Sequence, residues 1–138
     1  MEKGDALPTV ERLITQERID KYAAASGDFN PIHVDAEFAA ASQFGSTIAH
    51  GMLIAATVSE AMTLAFDIDW LERGRLKLRF RVPVFPGDTV TGYGRVESVR
   101  DGPEATELTC SVGVRKQDGQ DAVTGEARVR IPLGSKTI

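Results

Sequence analysis

Cysteine is nearly missing from this chain: Cys110 is the single one in 138 residues, so no disulfide can close within it. That usage is compatible with a reducing cytoplasm, the expected compartment. No stretch approaches the roughly 18 uninterrupted apolar residues of a membrane span, so no membrane association is expected. Met1-Glu2-Lys3-Gly4-Asp5 is polar and mixed in charge, without the apolar run of a signal peptide. No charge of one sign dominates, since 16 Lys plus Arg oppose 20 Asp plus Glu for a net −4. Such a balance makes no electrostatic case for nucleic acid. Internal repeats and low-complexity tracts are absent as well. What is present is an average globular composition, 42% apolar and 26% charged, which argues against disorder. The length fits one domain, residues 1–138, with a core of its own.

The first half reads helical and the second half reads as strands. A short strand is expected near Val10 to Ile14, followed by a helix from Gln16 to Ala25 with Thr15 as N-cap and Gly27 as stop. Asp28-Phe29-Asn30-Pro31 has the composition of a turn, and Asp35 to Ser42 can form a second short helix. Gly51 to Phe66 is apolar on nearly every side, and such a helix has to be buried nearly all round. One chain of this size struggles to wrap it unless a sheet curls around it and a second subunit helps. From Arg75 to Val82, Leu76, Leu78, Phe80 and Val82 alternate with basic residues, the period of a half-buried strand. Pro83, Pro86 and Gly87 end that run. Three further strands, about Asp88–Val99, Thr106–Lys116 and Val123–Pro132, are joined through Asp101-Gly102 and Asp118-Gly119. The layout is α+β, an antiparallel sheet with one long buried helix.

Chemistry concentrates in Ser26-Gly27-Asp28-Phe29-Asn30-Pro31-Ile32-His33-Val34-Asp35. A bend there can aim Asp28 and His33 at one water and let them share acid–base work near neutral pH. The plainer reading has Asp28 and Asn30 satisfying turn backbone while His33 packs against the next helix. Asp28, Asn30, His33 and Asp35 are also ligand types. They fit neither a zinc spacing nor an EF-hand loop, because Ile32 and His33 fall where the loop needs Asp or Asn and Gly. No metal is expected. A second segment, Ile48-Ala49-His50-Gly51-Met52-Leu53, opens the apolar helix. Its unpaired N–H groups can hold a carbonyl oxygen that gains negative charge, and Gly51 lets a ligand approach the backbone. Alternatively His50 caps the helix and Gly51 only relieves crowding.

Together the two segments resemble the MaoC-like dehydratases, also called R-specific enoyl-CoA hydratases, of the hotdog fold. Tyr22, the Ser26-Gly27-Asp28 step, Asn30-Pro31-Ile32-His33, Asp35, Ala39, Phe44 and Ile48-Ala49-His50-Gly51-Met52 fill the places of the family signature. Phe80-Arg81-Val82-Pro83-Val84, with Pro86-Gly87-Asp88, is similar to the strand and turn after the family's central helix. The likeness runs from about Thr15 to Pro132. It implies an antiparallel sheet wrapped around the central helix, and Asp28 and His33 as the pair that activates water. It implies addition of that water to a trans-2-enoyl thioester, on coenzyme A or an acyl carrier protein, giving the (R)-3-hydroxyacyl product, and the reverse dehydration. The Gly51 N–H would hold the thioester oxygen, Asn30 and His50 would support the site, and Ser59 would lie near the pair. The resemblance also implies no metal or organic cofactor and a homodimer with the pantetheine arm between subunits.

Weaker features leave alternatives. Arg75, Lys77, Arg79 and Arg81 line one strand face; Arg79 and Arg81 could meet the phosphates of the carrier, or the row is a solvated face. A buried Glu60 could serve a hotdog thioesterase as base or nucleophile. A non-catalytic acyl-binding subunit of a hetero-oligomer is a third reading.

Overall fold

The computed structural model describes residues 1–134, so the last four positions of the expected 1–138 domain lie outside the described residues. The chain runs β1 (Val10–Leu13), α1 (Gln16–Ser26), α2 (Pro31–Val34), α3 (Ala36–Ala40), α4 (Gly51–Phe66), α5 (Ile68–Arg73), β2 (Gly74–Phe80), β3 (Thr89–Asp101), β4 (Ala105–Lys116) and β5 (Asp121–Pro132). The five strands form one antiparallel sheet in the order β1-β3-β4-β5-β2. Hairpins join β3 to β4 and β4 to β5 at the two Asp-Gly turns. The sheet curls around α4, which is the hotdog architecture.

Local chemistry explains α1 directly. Thr15 accepts a hydrogen bond from the Arg18 N–H at 3.1 Å, and Gly27, at φ 77°, closes the other end by donating its N–H to the Ala23 carbonyl. Two short helices depart from the sequence reading. Asn30-Pro31 starts α2 instead of forming an open turn, because Asn30 caps the Ile32 N–H and Pro31 sits at the first helical position. Asp67, at φ 48°, then breaks the apolar run and lets α5 form as a separate turn of helix.

Ile54, Val58, Met62 and Phe66, spaced four apart, put one stripe of α4 on the sheet against Val90, Val96, Val112, Val114 and Val129. Full burial of each such side chain contributes about 1.5–3 kcal/mol. The opposite stripe is open in the single chain, where Met52 and Leu64 are exposed, so one chain does not wrap the helix all round. Leu76 and Phe80 on β2 are likewise exposed, where a half-buried apolar face was expected. The cause is shared, since one sheet covers only one side of a helix and β2 lies at the sheet's edge.

Cys110 on β4 is fully buried in this core, and burial, reinforced by the nearby Glu97 charge, pushes its thiol up to about 11. Only the thiolate attacks disulfides. The native protein therefore stays inert to a disulfide thiol reagent at pH 8 and reacts once denaturant exposes the side chain. Rapid labelling of folded protein, read by absorbance, would contradict this burial.

Candidate active site

Asp28 and His33 are set by consecutive caps rather than by one turn. The Asn30 N–H donates to Asp28 Oδ1 at 3.2 Å, Asn30 Oδ1 caps α2, and Asp35 Oδ1 caps the Phe38 N–H of α3 at 3.1 Å. Asn30 and Asp35 thus each use a side-chain oxygen to cap backbone, and the ligand-type residue gathered with Asp28 and His33 is His50. The α2 turn swings His33 inward. Its Nδ1 lies 2.7 Å from the Ile48 carbonyl, and a carbonyl only accepts, so Nδ1 carries the proton. The other ring nitrogen, Nε2, is thereby presented to Asp28 Oδ2 at 4.0 Å. That gap exceeds a direct hydrogen bond and suits one water touching both atoms. The carboxylate is 53% exposed and the imidazole 13%, so the pair spans the wall between solvent and interior.

Three supports hold this geometry. Gln16, in the first turn of α1, donates from Nε2 to the His33 carbonyl at 2.9 Å, and its Oε1 accepts from Thr47 Oγ1 at 2.7 Å. The Ile48 N–H donates to the Ile32 carbonyl at 3.1 Å. His50 is buried and stacks on His33 with centroids 3.9 Å apart and planes at 25°, and the Tyr22 ring meets its edge at 4.8 Å. His50 Nε2 donates to the Asp28 carbonyl at 2.9 Å. The structure corrects the idea that the His50 side chain caps α4, because it makes no capping hydrogen bond. Its Nδ1 is the one buried side-chain polar atom without a partner among the described residues. Asp28, His33 and His50 place ligand-type atoms within 4.8 Å of one another. One nitrogen of each ring is already committed as donor to a main-chain carbonyl, and near-parallel stacking sets the two rings side by side.

Gly51 begins α4, where the first N–H groups of a helix have no intrahelical acceptor and the helix dipole is positive. It shares a largely apolar cavity of about 330 Å³ with His33, Ile48, Phe80, Val82, Val84 and Val123. A Cβ at Gly51 would stand 2.9 Å from the Phe80 ring, so the glycine also makes room for that ring. His33 and the helix tip therefore line one cleft, and Asp28 stands behind His33, its Oδ2 4.0 Å from Nε2.

A family model described as a MaoC like domain matches residues 2–118. The chain belongs to the MaoC-like dehydratase family. The (R)-specific enoyl-CoA hydratase of Aeromonas caviae is 39% identical over 111 residues, covering 80% of this chain and 81% of that relative. The 3-hydroxyacyl-thioester dehydratase Z of Mycobacterium tuberculosis is 34% identical over 123 residues, 85% of this chain and 82% of the other. Among solved structures, the (R)-hydratase from A. caviae involved in PHA biosynthesis superposes with a TM-score of 0.81 at 33% identity, over 96% of this chain and 98% of that one.

Of the other expected site residues of this MaoC-like protein, Ser59, Glu60 and Arg79 lie away from the cleft and Arg81 borders it. Ser59 is not brought to Asp28 and His33 within the chain: its hydroxyl accepts from Trp70 Nε1 at 3.0 Å, and it lines a separate groove beside β1. Glu60 shares that groove, half-exposed and ion-paired with Arg12, so it is not the buried carboxylate a thioesterase reading requires. Arg81 borders the cleft and donates from Nε to Thr124 Oγ1 at 2.9 Å, whereas Arg79 is exposed on β2 opposite Thr124. Gln16, Thr47, Tyr22 and Phe80 were not singled out from the sequence as site supports. Tyr22 carried a signal in its place in the signature and Phe80 in the stretch similar to the family's strand and turn; Gln16 and Thr47 have nothing local to mark them.

Proposed function

We propose that this protein catalyses the reversible hydration of trans-2-enoyl thioesters to (R)-3-hydroxyacyl thioesters, a hydro-lyase activity. The observation that carries it is that His33, with Asp28 Oδ2 4.0 Å from its Nε2, lines the same cleft as Gly51 at the tip of α4. Water held by the pair adds its oxygen to C3 and gives up a proton to the pair. Negative charge then collects on the thioester oxygen as an enolate, which the Gly51 N–H stabilises. The pair returns a proton to C2, so atoms and charge balance over one turnover. His50 and Asn30 support the pair through the Asp28 main chain and the α2 cap. Neither a metal nor an organic cofactor enters any of these steps.

The substrate is carried as a coenzyme A or acyl-carrier thioester, and the residues we assign to its phosphates are Arg81, which borders the cleft, and Arg79, exposed on β2. A homodimer accounts for the open apolar surface where exposed Phe80 lies against Gly51 and exposed Met52 follows it in α4. No helix among the described residues is long and apolar enough to cross a membrane, and the lone reduced cysteine agrees with a cytoplasmic enzyme.

The test is loss of the conjugated thioester absorbance on adding the protein to enoyl-CoAs of four to sixteen carbons, with chiral analysis of the product. Hydration to the (R) alcohol is expected. Release of free thiol without hydration, or an (S) product, would overturn the assignment.

A further inference from the structure

The loop between β2 and β3 forms one wall of the cleft through Val82, Pro83 and Val84, and it also holds the helix tip: the Val84 carbonyl accepts the Ala49 N–H at 2.8 Å, two residues before Gly51. What fixes this loop comes from across the sheet. Lys116, the last residue of β4, is only 8% exposed, an unusual place for an ammonium unless it is paired. Its Nζ lies 3.0 Å from Asp88 Oδ2 and donates to the Pro83 carbonyl at 3.1 Å, gripping both ends of the loop at once. Asp88 closes the grip, accepting the Phe85 N–H on Oδ2 and the Gln117 amide on Oδ1, each at 2.8 Å. Burial alone would raise the Asp88 pKa. The hydrogen bonds from Gln117, Phe85 and Lys116, with the Lys116 charge, outweigh it and hold the carboxyl below its ordinary range. The Asp88 main chain in turn pairs with Ile14, whose N–H donates to the Asp88 carbonyl at 2.8 Å, and Ile14 leads through Thr15 into the Gln16 that holds His33.

We propose that Lys116, with Asp88, is a positioning residue for the reaction: by clamping the 83–88 loop it sets the Val84 carbonyl, and so the aim of the Gly51 N–H at the substrate oxygen. This rests on the hydratase reading above. A helix tip displaced by a fraction of an ångström still binds substrate but stabilises the enolate less, so the effect belongs in kcat.

Lys116→Met keeps the apolar stem and removes the ammonium. In that variant kcat for crotonyl-CoA hydration falls about ten- to a hundredfold while KM changes less than about threefold. Hydrogen exchange at the Ala49 amide speeds up by about tenfold or more relative to amides at the centre of the sheet. Lys116→Arg, which restores a cation, recovers most of both losses. A folded Lys116→Met protein with wild-type kcat and unchanged Ala49 exchange, altered only in melting temperature, would reduce the pair to a structural one. If Lys116→Met does not fold, Asp88→Asn decides in its place: it keeps an acceptor for the Phe85 N–H and loses the charge, and a wild-type kcat there overturns the proposal. The exchange measurement needs no turnover, so an inactive wild-type protein would sink the hydratase reading while leaving the clamp to be judged by Ala49.

Discussion

Asp28→Asn leaves the protein folded and lowers hydration of crotonyl-CoA by at least about a hundredfold, the scale of a lost general acid–base group. The variant separates two jobs that the carboxylate performs. Oδ1 accepts the Asn30 N–H, and the side-chain oxygen of Asn can go on accepting it, so the cap chain through α2 survives. The main-chain carbonyl of residue 28 still receives the His50 proton. What disappears is the negative charge and the basic oxygen facing His33 Nε2. Because the side chain is half-exposed, the cost to stability stays within about 0.5 kcal/mol. A thermal melt shows whether the fold is retained, and the absorbance assay gives the rate. Turnover within a few-fold of wild type in a folded variant would remove Asp28 from the chemistry.

Gly92→Val is expected to destabilise the protein by about 3 kcal/mol or more, at or beyond the upper end of ordinary overpacking. Gly92 sits on β3 where α4 crosses the sheet, and a Cβ there would lie 2.7 Å from the Thr57 carbonyl oxygen and 2.8 Å from its carbon. Those atoms are helix backbone, so no rotamer change relieves the clash. Either the helix lifts or the sheet bends. Thr57 is six residues past Gly51, about 9 Å along the helix axis, so lifting it also tilts the helix tip. Urea titration should show the lowered midpoint, and the surviving folded fraction should hydrate crotonyl-CoA more slowly. A midpoint equal to wild type would mean that helix and sheet are not in contact there.

Glycines in a strand often mark a close backbone approach, and Gly92 and Gly94 flank Tyr93 in β3. That pattern does not say which element approaches: Gly92 meets Thr57, thirty-five positions earlier, whereas Gly94 meets Leu7 and Ser111. The same limit explains Ser59 and Glu60. Their place on α4 follows from periodicity, but whether they meet the Asp28–His33 pair depends on how the helix is rolled against the sheet. Trp70 and Arg12, from separate elements, claim them instead. Lys116 was equally silent in sequence, one basic residue ending a strand, and only the packing of the β2–β3 loop over it makes it a buried ammonium.

Sequence alone determined what neighbours along the chain can settle. Thr15 and Gly27 bound α1 through their own side-chain and backbone preferences, the apolar run marks α4, and two Asp-Gly turns order the meander. The Asp28-to-His33 and His50-Gly51 segments carried the chemistry because each is a short, contiguous set of residue types. Tertiary structure decided everything that needs two distant segments to meet. It chose the His33 tautomer through the Ile48 carbonyl, stacked His50 on His33, brought the helix tip to the same cleft, and left one side of α4 and the β2 edge uncovered. The physical reason is that capping and periodicity act over a few residues, whereas burial and convergence are properties of packed surfaces that no single segment possesses.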